Sequence, residues 1–132
     1  MTYPYLRINS KISRPIIQII IKSKTKFAIH PVLIDSGADY CIFNIQLAED
    51  LGIKLRSRRT SFKGIGKDKI VGFWGKVDLR IGEVTYQTEV IFAEIGDFSH
   101  GILGQQGFFN HFDVKLSFHK QIIEIEPLKL TN

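Results

Sequence analysis

Apolar and polar positions change period along this chain, and each change predicts an element. Ile16-Ile17-Gln18-Ile19-Ile20-Ile21 is β-branched at nearly every position and too short for a typical helix, which predicts a strand buried on both faces. Lys22-Ser23-Lys24-Thr25-Lys26 is a polar turn, and Phe27 to Ile34 returns as the next strand. Pro31 inside that strand predicts an edge position or a bulge, because proline has no N–H to give to a ladder. Further on, Asn44 suits the N-cap of a short helix over 45–51. Ile45, Leu47, Ala48 and Leu51 supply its apolar side and Gly52 its stop. From Ser61 onward the texture is all β: residues 62–71 form a hairpin pattern whose tip, Gly64-Ile65-Gly66, is followed by charge. Val77, Leu79 and Ile81 then alternate with period two, Gly82-Glu83 turns the chain, and residues 84–92 return. A short helical segment is expected from Gln105 to His111, with strands near 113–118 and 121–126. The expected fold is mainly β: a small, closed, mainly antiparallel barrel with one or two short helices.

Length bounds the organisation. A chain of 132 residues makes one domain, with a core of useful size but no second lobe. Residues 1–15 are expected to be an N-terminal extension or interface strand, and residues 16–132 the domain itself. The net charge is +5, and basic residues are scattered except in Arg56-Ser57-Arg58-Arg59, expected to be a solvated loop. No aromatic residues interleave with that cluster to stack on bases, so nucleic acid is not an expected partner. The single cysteine, Cys41, cannot form an intrachain disulfide and sits in an apolar run, where it is expected to be a small core residue. Met1 to Ser13 is polar and mixed, without the apolar segment of a signal peptide, and no run approaches the ~20 apolar residues that span a bilayer. The expectation is a cytoplasmic chain with no membrane partner, no metal and no cofactor.

The chemistry concentrates in Asp35-Ser36-Gly37-Ala38-Asp39. It follows the mostly apolar Phe27–Ile34 run and precedes Cys41-Ile42-Phe43, so an acid is delivered on a tight turn at the end of a buried strand. A carboxylate held between hydrophobic strands costs free energy unless it is hydrogen-bonded, paired or protonated. Leu33 to Ala38, the middle Gly64-Ile65-Gly66 and the late Ile102-Leu103-Gly104 follow one another in an order and spacing that resembles the retropepsin family of single-domain aspartic proteases.

The resemblance implies a retropepsin-type barrel with a flap hairpin, and an aspartic endopeptidase acting on extended peptides. It makes Asp35, Ser36 and Gly37 the catalytic residues. Ala38, Asp39, Gly64, Ile65, Gly66 and Ile102 would contact substrate, while Leu103 and Gly104 would support the active turn from behind. Aspartic proteolysis needs two carboxylates sharing a proton, and the chain holds one Asp-Ser-Gly; the nearest alternative, Asp97-Phe98-Ser99, is wrongly spaced. A homodimer with one Asp35 from each copy is therefore expected, and its partner molecule is a peptide or protein substrate. Ile65, Ile70, Phe73, Ile102 and Phe108 are candidate walls of side-chain pockets, and Trp74 either joins the flap base or the core. The family commonly places Arg directly after the late glycine, where it pairs with the acid equivalent to Asp39. Here that residue is Gln105, which cannot form a charged bidentate fork, so the groove or dimer is expected to be held differently. The competing reading keeps the same fold as an inactive dimerisation or peptide-binding module.

Overall fold

A computed structural model of the protein describes residues 1–63, 69–96 and 100–129. In chain order the elements are β1 (Thr2–Pro4), β2 (Leu6–Arg7), β3 (Ser13–Arg14), β4 (Ile16–Lys22), β5 (Phe27–Ile34), β6 (Ile42–Asn44) and α1 (Ile45–Leu51). After the helix come β7 (Leu55–Lys63), β8 (Lys69–Ile81), β9 (Val84–Ala93), β10 (Gly101–Leu103), β11 (Phe112–Ser117) and β12 (Ile122–Pro127). The largest sheet has seven strands in the order β4-β5-β10-β6-β9-β8-β7, and a further β4–β8 pairing closes it into a ring with β7 as a spur. Pairing is mainly antiparallel, but short β10 lies parallel to β5 and β6 lies parallel to β9. A three-stranded sheet, β1-β12-β11, brings the two ends of the chain together, and β2-β3 forms a small ribbon.

Alternation along the strands builds two apolar clusters on opposite faces of the ring. Ile17, Ile19 and Ile21 of β4, Phe43 of β6 and Val90 and Phe92 of β9 enter the main core with Phe108, Phe112, Ile123 and Ile125. The intervening Ile42, Ile91 and Ala93 face the other way and join Ile95, with Tyr40, Ile70, Trp74 and Ile102 packed against them. β6 and the end of β9 are thus apolar on both faces, as strands covered on both sides must be. The helix is finished as its sequence predicts: Asn44 Oδ1 accepts from the Gln46 N–H at 3.0 Å, and Gly52 ends it in the left-handed region at φ 66°.

Three expectations change. β4 is covered unevenly on its outer face: Ile16 is buried, but Gln18 is exposed and Ile20 half-buried, so the covering thins toward the β4–β5 turn. Arg56-Ser57-Arg58-Arg59 lies in β7 rather than a loop, at a register shift between Leu55 and Arg59. Basic residues suit that place because β7 is a sheet edge, where charge discourages pairing with another chain; Arg56 also forms an ion pair with Glu89. Residues 105–111 make consecutive turns instead of a helix. Gly107, at φ 104°, bends the chain out of the helical region, and the Phe109 and Asn110 N–H groups reach back five residues to Gly104 O and Gln105 O. Pro31 sits in the half of β5 beyond the reach of β10, where the strand has β4 as its one neighbour, so a proline costs no ladder bond.

Candidate active site

Asp35 stands where β5 ends. Its backbone N–H donates to Leu103 O at 3.0 Å, extending the parallel β5–β10 pairing by one residue. The chain then folds back: the Ala38 N–H reaches Asp35 O at 3.2 Å, and the Gly37 N–H donates to Asp35 Oδ1 at 2.9 Å. That second bond fixes the carboxyl plane against its own turn, while Oδ2 keeps no partner among the described residues. Asp35 is half-buried, and Ser36, Gly37 and Asp39 are exposed beside it. A carboxyl oriented by the backbone and open on one side is placed to meet a second acid or a water.

Behind the turn runs the segment from Leu103 to Gln106. Gln105 N–H donates to Ala38 O and Gln106 N–H to Asp39 O, both at 2.8 Å, and Tyr40 bridges to Gln106 in parallel fashion. Gly104 lies so close that a Cβ there would stand 2.4 Å from Tyr40 O and 2.6 Å from Ala38 O. Gly101 is nearly as tight, with the Phe43 ring 2.7 Å from the place a Cβ would take. The two glycines let β10 and the following loop slide between β5 and β6.

Gln105 also supplies a contact that sequence reasoning missed. Its side-chain Nε2 donates to Ser36 O at 2.5 Å, so one residue grips the turn through both backbone and side chain. The identity of residue 105 was visible in the sequence; the carbonyl it would find, 69 positions away, was not. Among the described residues the Asp39 carboxylate has no ion-pair partner. A second missed support is Tyr86, whose hydroxyl donates to Gly107 O at 2.6 Å and whose ionisation burial strongly opposes. No local signal connects a tyrosine in β9 with that loop.

Cys41 lies beneath the loop, fully buried, with Sγ accepting from the Gly104 N–H at 3.4 Å. Burial pushes its thiol up to about 12, although the Gly104 bond opposes the shift. It is the small core residue expected, and such a thiol is inert as a nucleophile. His30, half-buried on β5, is held below the usual histidine range by burial first and by His100 second.

The substrate-side residues are placed unevenly. Ile102 is half-buried in the smaller apolar cluster with Ile70 and Trp74, and Trp74 meets Tyr40 edge-on at 5.2 Å. Trp74 thus links the long β8 arm to the residue that follows Asp39. Ile70 and Phe73 line a recess of about 420 Å³ with Ile45, Val71 and Glu94. Phe108, by contrast, is fully buried in the main core against Phe109 and Phe112, and so cannot wall a pocket. Gly64, Ile65 and Gly66 lie outside the described residues, as do Asp97 to Ser99; the β7 and β8 arms that flank residues 64–68 pair from Lys63↔Lys69 inward. No group of three or more His, Cys, Asp or Glu is placed to hold a metal ion among the described residues.

Residues 23–106 match the family model for aspartyl proteases, a span that holds both the Asp35 turn and the glycine segment behind it. Among solved structures, the retroviral protease-like domain of Ddi1 from Leishmania major is similar with a TM-score of 0.63 and 18% identity, over 89% of this chain and 92% of that one. A retropepsin-like aspartic protease from Rickettsia conorii gives 0.51 and 18%, over 92% and 93%. The EIAV protease in complex with the inhibitor HBY-793 gives 0.50 and 24%, over 76% and 88%. No curated protein sequence matches the chain. The Asp-Ser-Gly turn, the parallel strand behind it and the family match converge: this chain belongs to the aspartyl protease family and carries the retropepsin fold.

Proposed function

We infer that the protein is a homodimeric aspartic endopeptidase in which Asp35 from each of two copies forms the catalytic dyad. One observation carries the reading: the chain presents a single oriented Asp-Ser-Gly carboxyl, with one oxygen engaged by Gly37 N–H and the other open. One such acid cannot perform the reaction alone. Two carboxylates about 3 Å apart cannot both ionise, so they share a proton, and their titration belongs to the pair. The ionised member takes a proton from water as that water attacks the scissile carbonyl, and the protonated member donates to the carbonyl oxygen. Collapse of the tetrahedral intermediate returns a proton to the leaving amine and frees the two peptide halves.

The chain's other residues have supporting tasks. Ser36 and Gly37 would meet their counterparts across the dimer axis, Ala38 and Asp39 would contact the substrate backbone, and Ile102 would wall a side-chain pocket. Gly64, Ile65 and Gly66 would close over the peptide as a flap. A dimer also needs apolar contact area. Leu6, Ile8, Ile12, Leu116, Phe118 and Leu128, carried by the elements nearest the two ends of the chain, are each more than 40% exposed and would supply it.

The test is cleavage of an unbiased peptide mixture from acid to neutral pH by wild type and by Asp35→Asn. The expected result is cleavage that rises faster than linearly with enzyme concentration and vanishes in the variant. Folded, dimeric wild type without Asp35-dependent cleavage would instead establish a binding module.

A further inference from the structure

The hairpin that carries Asp35 at one end presents a different surface at the other. Phe27 and Ile29 of β5 are 65% and 66% exposed, the highest values among the large hydrophobic side chains described. Single exposed hydrophobics are ordinary and need no explanation. These two are not single. Register places Lys22 opposite Phe27 and half-buried Ile20 opposite Ile29, and β8 adds Asp78 beside Lys22 and Arg80 beside Ile20. Cross-strand partners share one face of a sheet, so these residues form a continuous outward patch.

A concavity of about 350 Å³ adjoins the patch, lined by Lys22, Lys24, Lys54 and Lys76, with Asp78 as its one acid. Among the described residues none of these lysines has an ion-pair partner. The four come from different places in the chain: the end of β4, the β4–β5 turn, the segment after α1, and β8. Like charges gathered round one hollow repel one another unless an anion fills it.

We propose that this face docks on the surface of an anionic lipid bilayer, with lipid phosphates in the lysine-lined hollow and Phe27 and Ile29 entering the interfacial layer. The pairing of the two features selects this partner. A free phosphate would use the lysines and leave the apolar pair unexplained. A single-stranded nucleic acid would stack successive bases on several aromatic rings, whereas this patch holds one, Phe27, beside the aliphatic Ile20 and Ile29. An interfacial layer takes aromatic and aliphatic side chains beside basic ones. The expectation of no membrane partner rested on the lack of a spanning run, which bears on crossing a bilayer and not on resting against it. β5 runs eight residues from Phe27 to Ile34, so Asp35 lies roughly 26 Å along the strand direction from Phe27. The proposal does not depend on proteolysis.

The test is sedimentation of the full chain with vesicles of phosphatidylcholine alone or mixed with phosphatidylserine. Wild type should bind the mixed vesicles, ignore the neutral ones and be released by high salt. Each lysine near such a surface contributes about fivefold in partitioning, so Lys22→Glu with Lys24→Glu should reduce binding at least ~25-fold. Phe27→Ser with Ile29→Ser should reduce it about tenfold or more while keeping the salt dependence. Thermal melts confirm that each variant is folded. Failure of folded wild type to bind mixed vesicles overturns the proposal. So does undiminished binding by the Phe27→Ser, Ile29→Ser protein, which would reduce the face to a general polyanion site. Binding of tripolyphosphate or single-stranded RNA without vesicle binding would assign the lysines to those ligands instead.

Discussion

The β4–β5 hairpin is finished in opposite ways at its two ends. At Asp35 the backbone N–H and C=O groups of the turn are taken up by Leu103, Gln105 and Gln106 from behind, and glycine is the one residue that fits at 104. At the other end the turn is closed locally, by bonds between Ser23 and Lys26, and the neighbouring side chains of Phe27 and Ile29 face outward. Both ends use the same two strands and the same alternation. The difference is what packs against them: β10 inserts beside Val32 to Ile34 and stops there. Strand periodicity says which residues share a face; a neighbour distant in sequence decides whether that face is covered.

The strongest way to break this contrast is Gly104→Ala. The added Cβ meets two backbone carbonyls that cannot rotate away, so the substitution should cost about 3 kcal/mol or more and lower Tm by roughly 10 °C. A melt that moves by less than ~3 °C would show that the loop does not press on the turn as described.

Gln105→Leu is milder and separates grip from stability. It removes the bond to Ser36 O while leaving the backbone bond to Ala38, and an exposed contact of this kind is worth about 1 kcal/mol. If the turn positions a working dyad, kcat/KM should fall about tenfold with Tm within a few degrees of wild type, because small misplacements of reacting groups are costly. Unchanged turnover would make the amide a bystander.

A third contrast can be read by pH. Burial and the nearby His100 hold His30 below the usual histidine value of 6.5. Below that pH the unfolded chain takes up a proton that the native chain resists, so the unfolded state binds more protons. Stability then rises with pH through this range and is lost as pH falls beneath it. Denaturant melts at neutral and mildly acidic pH should show the decline, and His30→Gln should flatten it. An equal decline in the variant would assign it to other groups.

The smallest effect is expected at the open end. Ile29→Thr should leave stability within about 0.5 kcal/mol, because the side chain is mostly in water already. A larger loss would show that something covers it.

Much of this could be read from the sequence because it is local. The Asp-Ser-Gly turn, the Asn44 cap, the Gly52 stop and the Gly82 hairpin each declare themselves within a few residues. The misread segments depend on distant partners. Residues 105–111 have a helical composition, yet Gly107 adopts a positive φ and the Tyr86 hydroxyl holds its carbonyl. Arg56 to Arg59 look like a loop because charge runs usually are, but the edge of a sheet accepts charge equally well. Phe108 is apolar, as a pocket wall would be, but the turns over 105–111 carry it into the core. Gln105 announced itself only as a departure, since its partner at Ser36 is brought near by the parallel β5–β10 pairing.

Cys41 gives the molecule a clock. It is the one thiol in the chain, it lies under the Gly104–Gly107 loop, and its raised titration leaves almost no thiolate at neutral pH while the loop is down. An alkylating reagent can therefore react only in the moments when the loop has lifted, and the rate of labelling, divided by that of the unfolded chain, counts those moments. Without any substrate, the rhythm with which the Asp35 turn loses its backing can be timed from a single sulfur.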